Sequence, residues 1–451
     1  MFSSMFFSFE TSIVSSLQKL LSVGEGQGKV NGGGFEYLSD DLVIEILRWL
    51  PADQLWLACR LVCKRWYALI SSPSFAHAHV RQSPSTFFLC YQQNPMWPNH
   101  TRKLDFVFPH DDDDANGSVF VKRSLNKLLA ERWKLDGVVP VSSCNGLIFL
   151  SSCWFFSGST FLPIEFQVGN LGLFSTRIRD LDQIYICNPV TGELIAIHNP
   201  YNFTLSGYCG FFYHSSMQEY RLLHFHTTGT SNTDTLFEYD VLTLGSTKWR
   251  RLCTLPYRVR PGSSPVVLDN TLYWMIHRSS STCEKSIMMF TMDDEKFSTL
   301  PHPSCPCQTM KSHHRMHLLE MDGRLTCWYL SGQDVFAWAA DVCGKGDYYT
   351  AVVRWHRIYH LDFNPSFESY FLGSIPDNCH VKLVSIQDGK ILLVWPQKGV
   401  FHYNLSTNTV EKVKLNGSAK FLSKYLGHTS YTKSMVSLTN FYPGLSRIYV
   451  N

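Results

Sequence analysis

Residues 184–197 read IYICNPVTGELIAI: an apolar run, an Asn-Pro-Val-Thr-Gly turn, then a second apolar run. Apolar, β-branched and aromatic residues on both sides of a Gly-containing turn describe two short antiparallel strands. The phrase returns as FEYDVLTLGSTKWRRL at 237–252 and VFHYNLSTNTVEKVKL at 400–415, with a fainter copy, MMFTMDDEKFSTL, at 288–300. Asn188, Asp240 and Asn404 stand where strand gives way to turn. Asn and Asp side chains there bond the backbone two residues on and set the turn. Thr291 aligns with Asp240 in the fainter copy.

The spacing of the copies carries the fold. Asn188 and Asp240 are 52 positions apart, Asp240 and Thr291 are 51 apart, and Thr291 and Asn404 are 113 apart, about two units. A second phrase precedes several copies: CNGLIFL, LDNTLYWM, MDGRLTCWYL and QDGKILLVW. Each sets a tight turn, at Asn145-Gly146, Asp269-Asn270, Asp322-Gly323 or Asp388-Gly389, ahead of a strand. Such dipeptides tolerate the positive φ that hairpin turns need. About four short strands in about 50 residues is the period of a propeller blade, kelch-like in length. Residues 85–440, divided by 50 to 60 per unit, predict six or seven blades, irregular between 300 and 380.

Upstream, the period changes. Residues 24–34, GEGQGKVNGGG, form a glycine-rich linker. Between 35 and 80 the pattern is helical. Ser39 is placed to cap a helix, with Asp40 and Asp41 in its first turn and Leu42, Val43, Ile46, Leu47 and Leu50 along one face. Pro51 ends that helix, and Asp53 is placed to cap a second carrying Leu55, Ala58, Cys59 and Val62. Val62, Cys63, Trp66, Leu69 and Ile70 make a third stripe, closed by Ser71-Ser72-Pro73. Such a small set of short helices buries little apolar area by itself. Its spare surface either docks on the β region or faces another protein. The expected organisation is therefore a tail at 1–34, helices at 35–80, an all-β propeller at 85–440 and a tail at 441–451.

Composition limits the function classes. The 451 residues are 45% apolar and 17% charged, with a net charge of +3, so no basic field argues for nucleic acid. The N-terminal stretch has no positive charge before Lys19, and Glu10 interrupts its apolar residues, so neither a signal peptide nor a membrane span is expected. Fourteen scattered cysteines without a leader point to reduced thiols, in cytosol or nucleus.

Isolated chemistry is sparse. His302, Cys305, Cys307, His313, His314 and His317 crowd into HPSCPCQTMKSHHRMH, but Cys-x-Cys is not the usual zinc hairpin, and a polar inter-blade loop is the expectation. Asp111 to Asp114 lack the spaced ligands of a calcium loop and read as solvated loop. Trp249, Trp274, Trp328 and Trp395 lie in or beside predicted strands, where packing between blades explains them better than a sugar-binding face. With no phosphate cradle, HExxH or nucleophile elbow, no cofactor, metal or catalytic residue is expected.

The helical stretch resembles the F-box. The resemblance rests on Leu38-Ser39-Asp40-Asp41-Leu42, Glu45-Ile46-Leu47, Trp49-Leu50-Pro51 and Leu61-Val62-Cys63-Lys64-Arg65-Trp66, followed by LISSPSF at 69–75. Ser39 and Trp49 depart from the usual proline and arginine. The β region is similar to the F-box-associated and kelch-type domains of plant F-box proteins through CNGLIFL, ICNPVTGE, GFFYHSSMQEYRLL and YDVLTLGSTKW, although the kelch double glycine is absent. The resemblance implies a non-catalytic substrate-recognition subunit of a cullin-based ubiquitin ligase. Leu38, Leu42, Ile46, Leu50, Pro51, Val62, Cys63 and Trp66 would contact a Skp-type adaptor. Cullin and RING subunits would be reached through that adaptor, and the propeller loops would hold a target protein. The readings set against it are a propeller lectin or small-molecule enzyme, and an F-box scaffold that does not degrade its partner.

Overall fold

The computed structural model describes residues 38–83, 85–92, 104–109, 119–124, 138–152, 183–198, 206–227, 236–260, 263–277, 282–303, 313, 315–331, 334–343, 352–362, 382–387, 389–395, 399–415 and 424–441. The N-terminal tail to residue 34, the Asp111–Asp114 run, Cys305, Cys307 and His314 lie outside them. The chain divides into two compact units, Met1–Leu50 and Pro51–Asn451.

In the first unit, α1 (Asp40–Leu47) begins where Ser39 Oγ accepts from the Leu42 N–H at 3.4 Å, and Asp40 and Asp41 fill the first turn. Val43 and Leu47, four residues apart on one face, are both buried.

The second unit opens with α2 (Ala52–Leu57), a 3-10 turn at Cys59–Leu61, α3 (Lys64–Ile70) and α4 (Pro73–Val80). The expected Asp53 cap is not used. Pro51 holds the cap position of α2 without a side-chain bond, and Asp53 turns its carboxylate to Lys433 Nζ at 3.0 Å. Helix α3 is capped by Cys63, whose Sγ accepts from the Trp66 N–H at 3.4 Å. Ser72 caps α4, and Pro73 sits at its start, where no N–H is needed.

The strands follow as β1 (Ser85–Gln92), β2 (Leu104–Pro109) and β3 (Val119–Ser124), then five four-stranded blades. The first blade holds β4 (Val138–Cys144), β5 (Leu147–Ser152), β6 (Gln183–Asn188) and β7 (Glu193–His198). The second holds β8 (Ser206–His214), β9 (Glu219–Thr227), β10 (Phe237–Thr243) and β11 (Trp249–Leu255). The third holds β12 (Val266–Leu268), β13 (Thr271–Met275), β14 (Ile287–Thr291) and β15 (Lys296–Leu300). The fourth holds β16 (Met316–Met321), β17 (Arg324–Ser331), β18 (Asp334–Cys343) and β19 (Val352–Asp362). The fifth holds β20 (Lys382–Gln387), β21 (Lys390–Trp395), β22 (Gly399–Asn404) and β23 (Thr409–Lys412). Short β24 (Lys414–Leu415) and β25 (Lys424–Thr432) complete the series.

Among the described residues there are five four-stranded blades and one five-stranded sheet, where six or seven blades were expected. The simple division counted the residues after 85 as an ordinary repeat. They instead supply β1–β3 to a sheet ordered β24-β3-β2-β1-β25, in which β25 runs antiparallel to β1 with Ser85 opposite Thr432. The 300–380 stretch read as irregular because β18 and β19 are long, 10 and 11 residues, within one ordinary blade.

The tight turns fall where predicted, each joining the first two strands of a blade. Asn145-Gly146, Asp269-Asn270 and Asp322-Gly323 have positive φ at both residues, as does Gly389. Asn188 Oδ1 accepts from Val190 N–H at 2.9 Å, and Asn404 Oδ1 from Ser406 N–H at 2.9 Å, so both set the turn as expected. Asp240 does not. It lies within β10, which runs on to Thr243, and it is buried opposite His224 of β9.

Blades pack face against face, so alternate residues of one strand serve two neighbours. Leu272 and Trp274 of β13 meet Phe212, Leu223 and Tyr239 of the second blade, while Tyr273 and Met275 meet Leu325, Cys327 and Tyr329 of the fourth. Trp328 of β17 points the other way, into Leu383, Ile391 and Phe401 of the fifth. Trp274 Nε1 donates to the Cys209 carbonyl at 2.8 Å and Trp328 Nε1 to Thr326 Oγ1 at 2.9 Å. These two tryptophans are core residues. Trp249 is half-buried beside His224, and Trp395 lies in β21.

After β25, residues 433–441 are stitched to the first blade. Asn188 Nδ2 donates to the carbonyls of Ser434 and Val436 at 3.0 and 2.8 Å. Ser434 Oγ donates to the Asn145 carbonyl at 2.5 Å, and Glu193 accepts from the Leu438 N–H at 2.6 Å. Gly146 is required by this approach: a Cβ there would lie 2.2 Å from Ser434 Oγ and 2.7 Å from the Thr432 carbonyl oxygen.

Candidate functional site

The residues with the resemblance to an adaptor-binding surface divide by burial. In the first unit Leu42 is 53% exposed and Trp49 76%, with Leu38, Ile46 and Leu50 half-buried. Leu42 and Trp49 lie off the buried Val43–Leu47 face of the helical stretch, a separation that follows from the 3.6-residue period. In the second unit Pro51 and Cys63 are exposed, and Leu57, Leu61, Val62 and Tyr67 are between 53% and 66% exposed. Arg60 lays its guanidinium over the Trp56 ring at 3.7 Å.

Trp66 and Cys63 differ sharply in burial. Trp66, expected on the docking stripe, is only 7% exposed and belongs to the core with Ile70. Cys63 is exposed, and as the cap of α3 its thiol turns back onto the backbone. The buried thiol of the pair is Cys59, which burial pushes up to about 11.

Within the second unit, α2 and α4 pack on the propeller. His77 of α4 lies 5.2 Å from the Tyr213 ring and 6.2 Å from that of Tyr220, which meets Phe441 edge-on at 5.3 Å. Burial, then the Arg81 charge, hold His77 below the usual histidine value. Together with the Asp53–Lys433 pair, this ring cluster fixes α2 and α4 to β8, β9 and the C-terminal segment. Leu57, Leu61, Val62 and Tyr67 are left exposed.

Two clusters on the propeller have metal-ligating chemistry. His224, His226 and Asp240 are all buried in the second blade, with His226 Nδ1 3.1 Å from Asp240 Oδ2, and burial holds His224 below its usual value. Cys283, His302 and His313 meet where the third blade passes to the fourth. His302 and His313 came from the Cys/His-rich stretch, and His317 is separate, within β16. Cys283 lies outside that stretch and arrives from another loop, 19 positions before His302.

Residues 141–440 match the F-box associated beta propeller domain, and residues 35–77 match the F-box domain. The chain belongs to the family of proteins that carry the F-box associated beta propeller domain. Among relatives from Arabidopsis thaliana, the F-box protein DOR is 22% identical, with 86% of this chain and 90% of its own length aligned. The putative F-box protein At3g23960 is 23% identical over 93% of this chain and 98% of its length, and the F-box protein At3g07870 is 22% identical over 64% and 65%. A solved oligogalacturonate lyase in complex with manganese aligns at 12% identity over 75% of this chain and 83% of its own, with a TM-score of 0.35.

Proposed function

We propose that this chain is the substrate-recognition subunit of a Skp–cullin-type ubiquitin ligase, acting in cytosol or nucleus. The observation that carries the reading is the exposed apolar set Leu57, Leu61, Val62 and Tyr67 in the helical stretch that opens the second unit, with Leu42 and Trp49 exposed in the first unit by itself. Apolar side chains left in water on so small a module are supported by a partner that covers them. The Skp-type adaptor is that partner. Cullin and RING subunits follow through it, and the propeller loops hold the target.

The role needs no catalytic group of its own. Holding a target beside a ubiquitin-charged enzyme raises the effective concentration of the two reactants. Anchorage of α2 and α4 to the propeller supports this reading, because a fixed angle sets where the target is presented.

Co-purification with a Skp-type adaptor tests the proposal. Val62→Asp and Leu42→Asp, both at exposed positions, should abolish capture while circular dichroism stays unchanged. Capture at wild-type level by both folded variants would overturn it. Trp66→Asp is unsuited to this test, since it would place a charge in the core.

A further inference from the structure

Cys283, His302 and His313 place one thiol sulfur and two imidazole nitrogens within 4.8 Å of one another. Tetrahedral zinc, with about 2.3 Å to sulfur and 2.0–2.1 Å to nitrogen, sets its ligands at about 3.3 Å for N···N and about 3.6 Å for S···N. Here His302 Nε2 and His313 Nε2 are 3.0 Å apart, and Cys283 Sγ is 3.6 Å from His313 Nε2. Two of the three ligand pairs are thus near the spacing of a zinc tetrahedron, and the third lies within 4.8 Å.

The protons tell the same story. His302 Nδ1 lies 2.5 Å from the Pro303 carbonyl oxygen, which can only accept, so this nitrogen carries the hydrogen. In the neutral ring Nε2 then offers a lone pair, as a ligating histidine does when its other nitrogen is held by a carbonyl. His313 Nε2 faces that lone pair and the Cys283 sulfur together.

The surroundings hold the trio in place and leave it reachable. Arg260 donates to the backbone carbonyls of His313 and Met316, both at 2.5 Å, and so fixes the chain that enters the fourth blade. His302 and His313 are buried while Cys283 is exposed, giving an ion a way in from solvent.

We propose that Cys283 Sγ, His302 Nε2 and His313 Nε2 bind one zinc ion. The ion ties the β13–β14 loop to the crossing between the third and fourth blades, and its fourth position is left to water or a further donor. Binding converts the Cys283 thiol to thiolate and releases its proton to buffer.

The test uses the full chain, stripped with a chelator and titrated with Co2+ and then Zn2+. One equivalent of Co2+ should give a thiolate-to-metal charge-transfer absorption that Zn2+ abolishes by displacement. Cys283→Ser, at an exposed position, should keep the fold by circular dichroism, lose that absorption and bind Zn2+ at least tenfold more weakly. His313→Asn should weaken Zn2+ at least tenfold as well. Binding at His224, His226 and Asp240 would give no thiolate band, so that cluster cannot mimic the result. Absence of the band in the wild-type chain, or its survival in Cys283→Ser, would overturn the proposal.

Discussion

Residues 40–70 and the blade strands are both rich in apolar side chains and place them differently. Every residue of Thr271–Met275 is buried, because a blade lies between two others and both faces of its strand are covered. The helices have one covered side. Of nine large apolar side chains that are exposed among the described residues, six fall between Leu42 and Tyr67. Burial on both faces leaves a strand no surface for a partner, while a helix packed on one side keeps the other for recognition. The propeller framework is therefore spent on stability, and the helices hold apolar surface in reserve.

Breaking the covered side should have the largest effect. Trp328→Ala removes a fully buried ring shared by the fourth and fifth blades and should cost about 3–5 kcal/mol in urea unfolding. A loss below about 1 kcal/mol would mean that blade stacking does not hold the ring together. Gly146→Ala comes next. It combines a φ of +79° with a methyl group driven against Ser434 and the Thr432 carbonyl, and should cost about 1–3 kcal/mol. Hydrogen exchange should then rise first in residues 431–441; unchanged protection there would separate the segment from the first blade.

Acid sharpens the contrast further. His224 is buried and its affinity for a proton lowered, chiefly by burial, so below the ordinary value of about 6.5 the unfolded chain binds more protons than the folded one. That part of the stability is complete above about 6.5 and is lost as pH falls. Thermal melts should drop between pH 7.5 and 5.5, and the slope should shrink in His224→Gln. An equal slope in that variant would remove His224 as its source. Val62→Asp should have the smallest effect, within about 0.5 kcal/mol on stability, because its side chain is already in water. A loss of several kcal/mol would show that Val62 is structural and not held in reserve.

The sequence was informative where structure is local. Asn145-Gly146 and Asp322-Gly323 announce their turns because only a few residue types tolerate positive φ at two successive positions. The Asn188 and Asn404 turns were legible for a similar reason, being bonds to the next few N–H groups. Asp240 misled because the same dipeptide pattern sits within a strand that continues to Thr243, where its partner is a histidine on β9. Blade number could not be read off, since β25 pairs with β1 from the far end of the sequence. At the helices, periodicity located the stripe but not its orientation. Cys63 lies just outside α3, so its side chain follows cap geometry and leaves the core position to Trp66. His302 and His313 share the Cys/His-rich stretch, but Cys283 stands outside it, and two separate connections bring the three together.

The pairing of Ser85 with Thr432 has a consequence in time. These residues are about 350 positions apart, which at about 5–20 residues per second is about 20 to 70 seconds of synthesis. For that interval β1 waits on the ribosome with an unpaired edge, after the F-box helices have already emerged. The segment that follows β25 also delivers Lys433 to Asp53, so ring closure and anchorage of α2 come in one late step. An adaptor that met the helices earlier would be holding a chain whose propeller is still open, while one that required anchored helices would engage finished molecules alone.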